Sequence, residues 1–170
     1  EAHTAALNSL SQELTGALTL DEVVHSITQH IQQSFNCRVT LWLPGEKDIM
    51  LVADTNWESQ SENRTANPIE GEAAKIFLGS LEKDKGDGTQ LRFHSDPAQL
   101  TFVALRIGME PVGILGLGAD EVGNPPAFSA EPQRGLLQGF ANLAALAIER
   151  NNLAEQARQA QLLIDVERLQ

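Results

Sequence analysis

The chain has one cysteine, Cys37, and no tyrosine among its 170 residues. A single thiol excludes an internal disulfide and a cysteine-cluster metal site, and a lone Cys ahead of a strand reads as a small buried apolar residue. Cations are scarce too. Lys and Arg number 12 against 23 Asp and Glu, the formal net charge is −11, and no Lys or Arg precedes Arg38. A duplex-binding surface needs clustered Lys and Arg, so nucleic acid is excluded as the main partner. No apolar run approaches the roughly 18 residues that crossing a membrane requires. The first residues, Glu1-Ala2-His3-Thr4, are no signal peptide, and without an initiator Met they read as the start of a piece excised from a longer protein.

Catalytic signatures are missing as well. There is no GxSxG or other nucleophile setting, no GxGxxG and no P-loop. Of the four histidines, His25 and His30 stand five apart on one helix, a poor spacing for a shared metal, and they read as solvated. No His is followed by Asp or Glu, so the phospho-acceptor pair of histidine kinases is absent from this stretch. Gly86-Asp87-Gly88-Thr89 could offer backbone N–H groups to a phosphate, but without a GK[ST] end it reads as a plain loop. No carboxylate cluster marks an ion site, and no cofactor is assigned.

What is present is an ordered alternation of periods. Leu7, Leu10, Leu14 and Ala17 make a helical stripe over residues 3–17. Thr19-Leu20-Asp21-Glu22 has the form of a capping box and opens a second helix, to about Phe35, that buries Val23, Val24, Ile27 and Ile31. The period then changes to two over residues 38–43, and Pro44 to Asp48 turns the chain into a returning strand at residues 49–53. Residues 54–68 read as loop, 70–81 as helix and 91–99 as a short strand and loop. Residues 101–107 and 112–117 make a second hairpin around Gly108-Met109-Glu110-Pro111, and Gly123 to Pro126 is loop. Ser129 is expected to cap the last helix, with Pro132 in its first turn. Hairpins mixed with helices predict an α+β fold: a central antiparallel sheet, the N- and C-terminal helices on one face, and a loop and helix over the other.

The last helix starts as a core element, with Leu136, Leu137, Phe140, Leu143, Ala144, Ala147 and Ile148 in one stripe. It then runs on to Gln170 without Pro or Gly. In the overhang Leu146, Leu153 and Ala160 fall seven apart, and Arg150, Ala157 and Ile164 form a second row seven apart. Together they make a weak a/d seam. The expected division is a domain at 1–150 and a protruding signalling helix at 151–170, with a homodimer through the first and last helices.

Strand parity separates two faces. Val39, Leu41 and Leu43 alternate with Thr40 and Trp42, and Val103, Leu105 and Ile107 alternate with Phe102, Ala104 and Arg106. The aliphatic sets suit the helix-packed core. The mixed sets suit a second, half-open face, where a small ligand would lie over Trp42, Phe102 and Ala104 near Arg106, with His94 in a possible lid. Packing of that face by the middle helix alone is equally compatible with the pattern. The alternating glycines of Val112-Gly113-Ile114-Leu115-Gly116-Leu117-Gly118 leave the same two readings open, close packing or a ligand wall.

Several stretches resemble a GAF domain, and more closely the GAF region of Kdp-type potassium and turgor sensor histidine kinases. They are Leu20-Asp21-Glu22-Val23, then Glu72-Ala73-Ala74-Lys75 followed by Gly86-Asp87-Gly88-Thr89, then Pro111-Val112-Gly113-Ile114-Leu115-Gly116. The fourth is Ala147-Ile148-Glu149-Arg150 through Leu153-Ala154-Glu155-Gln156-Ala157 to Val166-Glu167-Arg168-Leu169, similar to the linker that enters the phospho-acceptor helix. The resemblance implies a non-catalytic cytoplasmic module of an inner-membrane, dimeric kinase that regulates potassium uptake, with the kinase core following in the same chain. It supplies no ligand: no cyclic-nucleotide or bilin motif is matched. The alternative is a small-molecule-binding GAF regulator of another signalling or transcriptional output. An enzyme of the methionine sulfoxide reductase type would need several cysteines.

Overall fold

The structure, a computed structural model, describes residues 2–45, 48–55, 68–83, 93–95, 100–120 and 133–169. The element order is α1 (Ala2–Gly16), α2 (Leu20–Phe35), β1 (Cys37–Pro44), β2 (Ile49–Asp54), α3 (Pro68–Lys83), β3 (Phe93–Ser95), β4 (Thr101–Ile107), β5 (Glu110–Asp120) and α4 (Gln133–Leu169). The strands form one sheet of order β2-β1-β5-β4-β3, and each described pairing is antiparallel. The two hairpins thus meet through β1 and β5, strands far apart in sequence. The fold is α+β, as the alternation of periods predicts.

Local chemistry places the boundaries. Thr19 caps α2 with an extended backbone, its hydroxyl accepts from the Glu22 N–H at 3.2 Å, and the Glu22 carboxylate reaches back to the cap N–H. At the other end Asn36 takes the left-handed conformation (φ 50°) and donates to the Gln32 carbonyl at 2.7 Å, a conformation Asn tolerates better than most residues. The β4–β5 turn is tighter than the sequence predicts. It consists of Gly108 and Met109, with Gly108 at φ +61°, and Pro111 already belongs to β5. A register shift between Leu105 and Arg106 sits beside Pro111, where a missing N–H costs the ladder least.

Two cores result, one on each face of the sheet. The larger joins Leu10 and Leu14 of α1, Val23, Val24, Ile27 and Ile31 of α2, and Leu137, Phe140, Ala144 and Ile148 of α4 to Val39, Leu41, Val103 and Leu105 of the sheet. α2 and α4 lie on the strands, and α1 packs across the two helices. The Phe35 and Phe140 rings meet edge to face, centroids 6.1 Å apart and planes at 78°. Each fully buried Leu, Ile or Phe here is worth about 1.5–3 kcal/mol over its exposed state. The Cys37 thiol is buried at the start of β1. The smaller core lies under α3, on the opposite face.

α4 has 37 residues, about 55 Å at 1.5 Å per residue. From Asn152 to Arg168 its side chains are exposed except the half-buried Glu155. No described helix is long and apolar enough to cross a membrane. The expected cap at Ser129 and Pro132, the glycine turn at 86–89 and the loop at 123–126 lie outside the described residues.

Candidate functional site

Trp42, Phe102 and Ala104 come together on the second face, as their parity requires, with Ile114 between them. The half-open face expected there is closed. Ala73, Ala74 and Phe77 of α3 cover these side chains, and Trp42 and Phe102 are 1% and 0% exposed. Phe77 stacks on Phe102 at 6.0 Å between centroids and 23° between planes. The first turn of α3 crosses the Trp42 indole at Gly71, where even a Cβ would only just touch the ring. Helical period explains the cover: Ala73, Ala74 and Phe77 share one stripe, and the two alanines let the helix approach closely.

The polar groups of this face are paired inward. The Trp42 Nε1–H donates to Thr40 Oγ1 at 3.2 Å, and the Thr40 hydroxyl donates to the Gly116 carbonyl at 3.4 Å. A Cβ on Gly116 would overlap Thr40 Oγ1. Cβ atoms on Gly113 and Gly118 would come within 3.1 Å of Leu43 Cδ2 and Arg38 Cβ. The alternating glycines therefore answer to β1 side chains lying across β5, which is the close-packing reading of the motif.

Charge gathers at the two ends of the face. At one end Arg38 holds Asp54 side-on, Nε to Oδ1 at 3.1 Å and Nη2 to Oδ2 at 2.7 Å, with the carboxylate 5% exposed. At the other, Arg106 is half-buried beside the β4–β5 turn. Its Nη2 donates to the Met109 carbonyl at 2.8 Å, while Nε and Nη1 are buried with no hydrogen-bond partner among the described residues. His94 pairs with Phe102 through the β3–β4 ladder, and its side chain lies outside the described residues.

The seam residues Leu146, Arg150, Leu153, Ala157, Ala160 and Ile164 form one stripe along α4, with Leu146 59%, Leu153 56% and Ile164 45% exposed. Beside the stripe, α1 and α4 leave a groove of about 150 Å³ lined by Leu14, Thr15, Leu143, Leu146, Ala147 and Arg150. The two helices close at Gly139, where a Cβ would stand 2.8 Å from Leu7 Cδ2. Arg150 does more than line this seam: its Nη2 donates to the Leu14 carbonyl in the last turn of α1 at 2.6 Å.

Three features escape the sequence reading. His30 is not solvated. Its side chain is 13% exposed between α1 and α2, with Nδ1 2.9 Å from the Ser26 carbonyl and 3.5 Å from Glu13 Oε2, and Nε2 3.3 Å from Ser9 Oγ. A carbonyl only accepts, so Nδ1 carries the hydrogen. Leu162, Leu163 and Val166 are exposed off the heptad stripe, and Leu18, between α1 and α2, is 87% exposed. A polar-face His cannot be told from a solvated one without the partner helix, and an apolar residue off the repeat gives no periodic signal. Among the described residues no three His, Cys, Asp or Glu converge as a metal site would require.

The GAF domain family matches residues 19–150. The chain belongs to the GAF domain family. Solved structures share the fold. The native GAF domain of the potassium sensor histidine kinase KdpD from Escherichia coli superposes with a TM-score of 0.64 at 18% identity, over 91% of this chain and 98% of that one. The GAF domain of an Acinetobacter phosphoenolpyruvate-protein phosphotransferase gives 0.65 at 10% identity, over 90% and 96%. A GAF domain of a putative sensor histidine kinase from Pseudomonas syringae pv. tomato gives 0.56 at 16%, over 94% and 93%. No curated protein sequence matches the chain. At these identities the likeness is one of fold.

Proposed function

We propose that this GAF domain is a non-catalytic sensory and dimerisation module of a cytoplasmic sensor histidine kinase region, with residues 1–150 as the sensing body and 151–170 as the helix that carries its output. The observation behind this reading is α4. Its first half is built into the core beneath the sheet, and its second half leaves the body with an apolar stripe exposed. Most helical stability in proteins comes from packing an apolar face, so the exposed stripe asks for a partner. A second copy fits, because the stripe is self-complementary about a two-fold axis and continues into the α1–α4 groove. The helix is thus coupled to the sheet at one end and to its neighbour at the other, as a two-state output element requires. The parent kinase is read as one regulating potassium uptake. The four sequence stretches that resemble Kdp-type kinases support this, as does the fold shared with the potassium sensor domain.

A small ligand on the second face would lie over Trp42, Phe102 and Ala104 near Arg106 and His94. Because α3 covers the first three, such a ligand must displace α3 or enter beside it, and that displacement is the signal. The relatives of this fold include parts of a chemotaxis protein and a phosphotransferase. That variety favours, as the second reading, a ligand-binding regulator of another output.

Replacing Ala157 and Ile164 together by Lys puts like charges in the seam and should convert the dimer to monomer at micromolar concentration, read by light scattering. An unchanged mass would remove the seam. Chemical-shift mapping with candidate metabolites tests the ligand, and shifts that spare Trp42, Phe102, Ala104 and Arg106 for every binder would refute the second-face site.

A further inference from the structure

Resting on the dimer reading above, we infer that Arg150 couples the position of α1 to the strength of the α4 seam: bound to the end of α1 its charge is drawn out of the seam, and released it stands in it. Arg150 occupies the stripe between Leu146 and Leu153, a position that faces its own copy in a parallel pair. A charged residue at one such position specifies register at a cost in stability. Among the described residues no carboxylate forms an ion pair with it. Its partner is instead the Leu14 carbonyl, 2.6 Å from Nη2. That carbonyl belongs to the last turn of α1, where the peptide dipoles sum to partial negative charge and cations are favoured. α1 has no basic residue in that turn, and the chain has no Lys or Arg before Arg38, so the cation is supplied from α4.

The acceptor is therefore mobile only with α1 as a whole. α1 touches α2 and α4 and packs over them rather than lying on the sheet. Leu7 lies over Gly139 of α4, where a Cβ would stand 2.8 Å from Leu7 Cδ2. If the last turn of α1 moves off α4, the hydrogen bond opens and two guanidinium groups face each other across the axis. Like charges about 7 Å apart in a half-solvated setting weaken association by roughly tenfold. The signal entering through α1 would thus be read out as a looser seam with no change in the apolar contacts.

The test is sedimentation equilibrium on the 170-residue chain and three variants. Arg150→Leu should leave the pair no weaker than wild type, since the bound guanidinium already stands outside the seam. Gly139→Leu, which drives α1 away through Leu7, should weaken the wild-type pair about tenfold and leave the Arg150→Leu pair unchanged. Should Gly139→Leu fail to fold, by circular dichroism, Arg150→Glu and Arg150→Gln decide instead. The Glu carboxylate is repelled by the Leu14 carbonyl, stays in the seam as a charge and should associate about tenfold more weakly than wild type, while the uncharged Gln should associate like wild type. Arg150→Leu weakening the pair, or Gly139→Leu acting equally in both backgrounds, overturns the coupling while the dimer stands. A chain monomeric in every form overturns the dimer reading and the coupling with it.

Discussion

Replacing Gly116 by Ala should destabilise this domain by about 2–4 kcal/mol, although Ala is normally the better residue in a folded chain. The new Cβ would overlap Thr40 Oγ1 and come 3.5 Å from Phe102 Cε1. Neither neighbour can give way cheaply. Thr40 and Phe102 are both 0% exposed, and Thr40 is held at both ends, donating to the Gly116 carbonyl and accepting from the Trp42 indole. Rotating Thr40 exchanges the hydroxyl for its methyl, which clashes as well and strands the buried indole N–H. Overpacking of this kind costs about 1–3 kcal/mol, and a buried donor left without a partner about 1–3 kcal/mol more. The entropy that Ala removes from the unfolded chain returns only about 0.4–1 kcal/mol. Against a total stability of roughly 5–15 kcal/mol the net loss is large and measurable. Urea unfolding, followed by fluorescence in a Trp57→Phe background that leaves Trp42 as the only indole, gives the value, with far-UV circular dichroism as the check on two-state behaviour. The decisive form is a cycle with Thr40→Ala. That change alone should cost about 1–3 kcal/mol because Trp42 loses its acceptor. In the double variant the overlap has gone, so the two costs should fall short of their sum by more than about 1 kcal/mol. A loss under about 0.5 kcal/mol for Gly116→Ala, or strict additivity, would refute the account of the alternating glycines as close packing.

Three other outcomes follow from the same geometry. Thr19→Ala should cost about 1 kcal/mol of stability in urea unfolding through loss of the capping box, and Thr19→Asn should restore most of it. Asp54→Leu and Arg38→Met should each destabilise more than the double replacement does, since the first takes the carboxylate from a half-buried guanidinium and the second takes the guanidinium from a buried carboxylate; single losses that simply add would argue against a coupled pair. Phe77→Ala should cost about 3–5 kcal/mol and, by uncovering Phe102 and Trp42, raise hydrogen exchange along α3 while leaving α2 protected; uniform exchange would mean that the two faces do not melt separately.

Much of this fold is legible in one dimension because it rests on local chemistry. The capping box at Thr19 and Glu22, the period-two runs of β1 and β4, and the helical stripes of α1, α2 and α4 each declare themselves within a few residues. Errors fall where neighbours decide. Pro111 reads as a turn residue but serves in β5, because the register shift at Leu105 and Arg106 relieves it of a ladder bond. His30 reads as a surface histidine, and only the approach of Ser9 and Glu13 from α1 buries it. The candidate site divides along the same line. Parity alone assigns Trp42, Phe102 and Ala104 to one face, but parity is blind to what lies above that face.

Spacing, caps and periodicity are properties of a single stretch of chain, and they set the order and type of the elements, the side on which each strand residue stands, and the length of α4. The tertiary structure alone decided that α3 closes the second face, that Gly116 makes room for Thr40, and that Arg150 reaches the end of α1. Each of these joins atoms that are remote along the chain, and their distance apart is set by the packing of whole helices on the sheet.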